Sequence, residues 1–268
     1  MRSVPIITLT SDFGSGVFVG LLKGVILGIC PEARLVDLAH DLLPQDVRGG
    51  ALALEQAIGV FPSGAVHLAV VDPGVGTERR AMALAAAGML WVGPDNGLFT
   101  AALLADPQAR AYRITDQSLM RQPVSATFHG RDVFAAAAAH LAQGRAVESL
   151  GPRIYDPVRL DWPQPRQEGG ALLGQVLTSD RFGNLMTNLP RARVEALLAG
   201  RPARIRCQRL EIKGLGAAYG QAEAGQPVAV FNSLDRLELA LNQGDLRAHL
   251  GLERGGVFGL AVRVEADE

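Results

Sequence analysis

Asp72, Arg79 and His129 carry the groups in this 268-residue chain best suited to act on a water molecule. The first two lie in Val71-Asp72-Pro73-Gly74-Val75-Gly76-Thr77-Glu78-Arg79-Arg80, the third in Thr127-Phe128-His129-Gly130-Arg131-Asp132. A carboxylate, a guanidinium and an imidazole can together orient a water, favour its anion and take its proton. The glycines beside them let the backbone turn sharply and approach a ligand closely. The trio points to an enzyme that uses water as a nucleophile. Each member also has a plainer reading. Asp72 before Pro-Gly suits a turn, His129 is an isolated loop histidine, and Arg131-Asp132 reads as a local ion pair capping the next helix.

The elements that must position these residues follow from the apolar pattern. Ile6–Leu9 is a short strand run that ends in Thr10-Ser11-Asp12-Phe13-Gly14, and a helix is expected over Val17–Cys30, stopped by Pro31. Leu35–Leu38 reads as a strand, Asp46–Phe61 as a helix stopped by Pro62, and Val66–Val71 as a strand leading into the Asp72 loop. Ala81–Ala86 and Leu90–Val92 are two further strands around a turn at Gly88, and Leu98–Ala105 starts helical after the turn signal Pro94-Asp95-Asn96-Gly97. His129 precedes a helix over Val133–Gln143. Continuous apolar strands alternating with helices predict a three-layer α/β domain with a mostly parallel sheet, whose ligands bind beyond the carboxyl ends of strands. Asp12 and Asp72 both sit at such ends.

Past Gly151 the pattern changes. Tyr155–Gly170 holds three prolines and little periodicity, and reads as a linker. Beyond it come short strand-like runs at Leu173–Leu177, Arg204–Cys207, Gln208–Ile212, Pro227–Phe231, Arg236–Leu241 and Gly256–Val264. The expectation is two domains, an α/β domain over 1–160 and a smaller β-rich, barrel-like one over 161–268.

Composition narrows the function classes. Lys plus Arg number 26 against 27 acids, no basic block occurs, and aromatics make up 5% of residues, so neither a nucleic-acid nor a membrane surface is expected. The N-terminus turns polar too early for a signal peptide and no uninterrupted apolar run reaches a membrane span. A cytoplasmic protein is the expectation. Cys30 and Cys207 lie far apart, which argues against a disulfide framework or a CxxC metal site, and no metal ligand set is evident.

Other motifs are weaker. Gly14, Gly16 and Gly20 miss the dinucleotide fingerprint by one position, and Asp12 in that loop would repel a pyrophosphate. Asp12 reads equally as a helix N-cap or as an acceptor for two vicinal hydroxyls. Ser179-Asp180-Arg181-Phe182-Gly183-Asn184 offers an amide and a ring to a heteroaromatic base, or simply a tight hairpin turn. Asn232-Ser233 and Asn242 sit at strand ends and suit turns. The residues alone reach a hydrolase or transferase with water as acceptor.

Five segments in order resemble one family across nearly the whole chain: Thr10-Ser11-Asp12-Phe13-Gly14, Val71-Asp72-Pro73-Gly74-Val75-Gly76-Thr77, Gly93-Pro94-Asp95-Asn96-Gly97, Phe128-His129-Gly130-Arg131-Asp132 and Asp180-Arg181-Phe182-Gly183-Asn184. The chain resembles the S-adenosylmethionine (SAM) hydroxide adenosyltransferases, or SAM hydrolases, relatives of the fluorinating and chlorinating enzymes. The resemblance implies attack of water on C5′ of SAM, giving adenosine and methionine, with no cofactor and no metal. It puts the water-activating roles on Asp72, Arg79 and His129, the ribose contact on Asp12, and adenine contacts on Phe182, Asn184 and Asn242. It puts the methionine amino and carboxylate contacts on Asp180 and Ser233. Leu234 stands where the family commonly has an arginine for that carboxylate. The resemblance further implies a homotrimer with sites at subunit interfaces. The halogenating relatives carry Tyr-Ser in place of His129-Gly130 and lack the Asp72 and Arg79 equivalents, so hydrolysis is expected over halogenation. A SAM- or adenosine-binding regulatory protein is the remaining alternative.

Overall fold

The computed structural model describes residues 4–267. The described residues form two compact units that meet in sequence between Leu160 and Asp161. The N-terminal unit contains β1 (Ile6–Ser11), α1 (Val17–Ile29), β2 (Arg34–Ala39), α2 (Val47–Glu55), β3 (Val66–Val70), β4 (Ala81–Ala86), β5 (Met89–Pro94), α3 (Thr100–Ala105), β6 (Arg110–Arg113), α4 (Ala136–Ala142) and β7 (Arg153–Ile154). Its sheet runs β2-β1-β3-β5-β4-β6-β7. The first four strands are parallel, with Leu9 opposite Asp37 and Leu68, and the antiparallel strands β4, β6 and β7 finish the other edge.

Both faces of this sheet are covered, which is why β3 is buried at every position. On one side Leu22 and Ile26 of α1 and the alanine run of α4 pack on Ile7, Leu9, Val66 and Leu68. On the other, Leu54 of α2 and Ala102 and Leu103 of α3 meet Met82, Leu84 and Trp91. Small alanines let α4 approach the strands closely. The expected helix over Asp46–Phe61 is shorter in fact. Asp46 caps α2 by accepting from the Gly49 N–H at 2.8 Å, but the helix ends at Glu55, and Ile58 and Phe61 reach the core from the turns that follow.

The C-terminal unit contains β8 (Arg166–Glu168), β9 (Ala171–Ser179), β10 (Leu185–Pro190), α5 (Arg191–Leu198), β11 (Ala203–Cys207), β12 (Leu210–Lys213), β13 (Pro227–Phe231), β14 (Arg236–Leu241), α6 (Leu246–His249) and β15 (Ala261–Ala266). Its strands follow the order β12-β11-β15-β9-β10-β14-β13, with β8 on β9, in an antiparallel, barrel-like sheet around Leu172, Val176, Leu185, Leu237 and Val264. The expected mixed α/β and β-rich architectures are thus both present. Among the described residues no helix is long and apolar enough to cross a membrane.

Candidate active site

The carboxyl ends of β1 and β3 deliver Asp12 and Asp72 to one cleft of about 690 Å³, together with Phe13, Phe18, Gln45, Phe128 and His129. Asp72 lies two residues past the end of β3, and the loop after it winds through two tight turns, Val75 N to Asp72 O at 3.2 Å and Thr77 N to Gly74 O at 3.1 Å. Gly76 is fixed there by two constraints. Its φ is +78°, and a Cβ would stand 2.6 Å from the Ala126 carbonyl oxygen. That close approach brings the Arg79 loop against the segment leading to His129. His129 itself caps a single π-helical turn, Gly130–Ala135, that runs into α4. Such turns re-aim side chains and recur at functional sites.

The loops place Arg79 in direct contact with both Asp72 and His129. Arg79 Nε donates to Asp72 Oδ1 at 2.9 Å, a terminal nitrogen donates to Oδ2 at 2.5 Å, and that nitrogen lies 2.8 Å from His129 Nδ1. Both members of the ion pair are nearly buried, with side-chain exposures of 10% and 5%, and the guanidinium stacks 5.0 Å over the Phe134 ring. A buried, bidentate and stacked arginine is held far more firmly than a surface pair.

This geometry assigns the tautomer of His129. A guanidinium only donates, so Nδ1 of His129 accepts from Arg79, and the neutral ring carries its proton on Nε2. Burial first, and then the Arg79 charge, push the His129 pKa below its ordinary value, which favours that neutral ring. His129 can therefore hold an oxygen by donating from Nε2, while the Asp72 carboxylate keeps acceptor capacity for a proton.

Asp12 does not cap α1. The N-cap is Gly16, with no side-chain bond, and the Asp12 carboxylate instead accepts from the Gln45 backbone N–H at 2.8 Å. Nor does Asp132 cap the helix after it. Its buried carboxylate accepts from Arg131 at 2.7 and 2.8 Å and from the Ser125 N–H at 2.9 Å, pinning the loop ahead of His129.

In the C-terminal unit, Asp180–Asn184 forms the turn joining β9 to β10. Asp180 Oδ1 accepts from the Phe182 and Asn184 N–H groups, each at 2.9 Å, and Oδ2 accepts from the Asn184 side-chain amide at 2.9 Å. Phe182 projects at this turn with 68% of its surface exposed. Gly183 has φ +83°, and a Cβ there would lie 1.9 Å from Asp245 Oδ1. Ser233 is exposed in the turn after β13, where Asn232 Oδ1 accepts from Leu234 N. Asn242 is tied elsewhere, its amide donating to the Ala222 carbonyl at 2.7 Å. Sequence reading missed Tyr219 and Glu238. The Tyr219 hydroxyl donates to buried Glu238 at 2.6 Å and Asn232 donates to the same carboxylate at 3.1 Å. Burial, then the Glu238 bond and charge, then the Asp180 charge raise the Tyr219 pKa, so this pair lies within electrostatic reach of the Asp180 turn. Neither residue sits in a recognisable motif. Among the described residues no group of three or more His, Cys, Asp or Glu side chains could hold a metal ion.

Residues 7–151 match the model of the SAM hydroxide adenosyltransferase N-terminal domain, and residues 174–258 match that of the C-terminal domain. The chain belongs to the SAM hydroxide adenosyltransferase family. Among its relatives in that family, an (R)-S-adenosyl-L-methionine hydrolase of Thermus thermophilus is 45% identical over 91% of this chain and 95% of its own length. A fluorinase of an Actinoplanes species is 30% identical over 94% of this chain and 95% of its own. A crystal structure of an uncharacterized conserved protein from Thermotoga maritima superposes with a TM-score of 0.90 at 33% identity, covering 97% of this chain and 99% of that one. Both halves of the family's fold, and both clusters of candidate residues, are therefore present.

Proposed function

We propose that this protein hydrolyses S-adenosyl-L-methionine to adenosine and L-methionine. The observation that carries the reading is the contact set in which Arg79 joins Asp72 to His129, both of which line the cleft with Asp12. Membership of a family whose Thermus thermophilus member is named a SAM hydrolase supports it. A water oxygen attacks C5′, the C5′–sulfur bond breaks, and its electron pair stays on sulfur as methionine leaves as a neutral thioether. The water's proton passes to Asp72 and on to solvent. His129 Nε2–H holds the nucleophilic oxygen, Arg79 fixes both partners, and the sulfonium needs no further activation, so positioning supplies much of the rate.

Asp12 then accepts bonds from the ribose hydroxyls. Phe182 and Asn184 hold the adenine, with a lesser contribution from Asn242. Asp180 takes the methionine amino group, its oxygens retaining lone pairs beyond the turn bonds they accept, and Ser233 takes the carboxylate beside Leu234. The substrate epimer follows the name of the Thermus thermophilus relative, which specifies the (R) sulfonium. The working assembly is a homotrimer with sites at subunit interfaces, in the cytoplasm, and light scattering that returned a monomer would remove the shared-site part of this reading.

The test is turnover of each SAM epimer by wild type and His129→Ala. Wild type should favour the (R) epimer. The variant should lose turnover by roughly 10²–10⁴-fold while holding adenosine with little change. Turnover preserved in His129→Ala would show that the oxygen is held by another group.

A further inference from the structure

His40 lies outside the cleft, yet it ties down the loop that carries Asp12. The loop leaves β1 at Ser11, and His40 follows β2, the parallel neighbour of β1. His40 grips that loop at two points. Its carbonyl accepts from the Gly14 N–H at 2.8 Å, and its Nδ1 lies 2.7 Å from Ser11 Oγ. Behind it, Nε2 lies 3.0 Å from Asp37 Oδ1, and Asp37 Oδ2 accepts from Lys23 Nζ at 2.7 Å.

The directions of these bonds are determined by chemistry. Asp37, paired with Lys23, is an acceptor, so His40 Nε2 carries a proton and donates to it. The other ring nitrogen, Nδ1, then faces the Ser11 hydroxyl at 2.7 Å as acceptor to its donor. The Ser11 oxygen is left to accept from the Phe13 N–H, which it does at 3.4 Å. One directed chain thus runs from Lys23 on α1 through Asp37, His40 and Ser11 to the peptide that follows Asp12. Ser11 is fully buried and the His40 side chain is 15% exposed, so water competes poorly for the inner bonds. The Gln45 N–H holds the carboxylate itself from the other side at 2.8 Å.

We infer that His40 is a positioning residue for ligand binding, acting through Ser11 to hold Asp12 in the orientation that receives a nucleoside's vicinal hydroxyls. The inference rests on the reading of Asp12 as the ribose contact. Neither His40 nor Ser11 lines the cleft, so the effect is transmitted rather than direct.

The test measures binding of adenosine and of 2′-deoxyadenosine by calorimetry in the full chain. His40→Ala should weaken adenosine binding about tenfold, the size expected for one ordered hydrogen bond. It should weaken 2′-deoxyadenosine much less, so discrimination between the two falls. A general loss of structure would weaken both ligands alike. Ser11→Ala, which cuts the same link from the other end, should reproduce the loss. His40→Asn, whose amide occupies the Nδ1 position, should restore most of the affinity, and His40→Gln, which reaches only toward Asp37, should not. Asp12→Ala should lose the same discrimination, and adding His40→Ala to it should cost little more. Unchanged discrimination in His40→Ala and Ser11→Ala beside a loss in Asp12→Ala would overturn the role of His40. Unchanged discrimination in Asp12→Ala would instead overturn the ribose reading beneath it.

Discussion

Acidification should loosen the strand that delivers Asp72, and His67 is the residue that sets the pH at which this happens. His67 lies on β3, five residues before Asp72, and is fully buried. Its Nδ1 is 2.7 Å from Thr8 Oγ1, its Nε2 is 3.0 Å from Met89 Sδ, and its ring stacks on Trp91 at 4.2 Å between centroids. Burial pushes its pKa down from 6.5 to about 4. The unfolded chain therefore binds a proton here more readily than the folded one between these two values. Stability is complete above pH 6.5, falls as the pH drops through that window, and loses nothing further from this residue below about 4. Two and a half pH units correspond to about 3 kcal/mol in all, of which about 2 kcal/mol is gone by pH ~5. The assay is urea unfolding followed by Trp91 fluorescence in a Trp162→Phe background, at pH ~7.5 and pH ~5. His67→Asn keeps a group near Thr8 but cannot titrate. Its stability relative to the parent should improve by about 2 kcal/mol between the two pH values, whatever its constant offset. An offset identical at both would refute the argument that burial keeps His67 neutral.

Two further outcomes follow from the site. Turnover should fall on acidification with a limb below pH ~6.5, because protonating His129 at Nδ1 breaks its bond to Arg79. Arg79→Gln removes one of the two influences that depress this histidine, so in the pH–rate profile its limb should move upward while kcat falls. A limb that stayed in place would mean that another group titrates. Gly183→Ala forces a left-handed alanine against Asp245 and should cost upward of about 1 kcal/mol in a thermal melt. It should also weaken adenosine binding by displacing Phe182 and Asn184, and full affinity would detach that turn from the ligand.

The parts of the fold that were legible are those where one strand or helix face carries a clean apolar pattern. β3 and its exit into Asp72 are readable because a strand covered on both faces is continuously apolar. β10 was not, because Thr187 and Asn188 are buried polar residues that break the alternation. Their side chains bond to the Leu237 and Pro163 carbonyls, partners far away in sequence. α2 was overextended because Ile58 and Phe61 continue its apolar spacing from turns, not from a helix. At the site, the residue types of Asp72, Arg79 and His129 pointed to water chemistry, and the fold joins Asp72 and His129 through Arg79. The contact between Arg79 and His129 spans 50 residues, so the tautomer of His129 could not be read before the fold. The Asp12 N-cap reading failed because the N-cap of α1 falls four residues later, at Gly16. His40 carried no signal at all, since its role comes from the parallel pairing of β1 with β2.

Water as the nucleophile is tested most directly by product analysis by mass spectrometry after incubation with SAM in chloride-containing buffer made with ¹⁸O water. Adenosine bearing the heavy oxygen at C5′, released together with methionine, is the predicted result. Formation of 5′-chloro-5′-deoxyadenosine, or recovery of intact SAM alongside detectable binding, would contradict it.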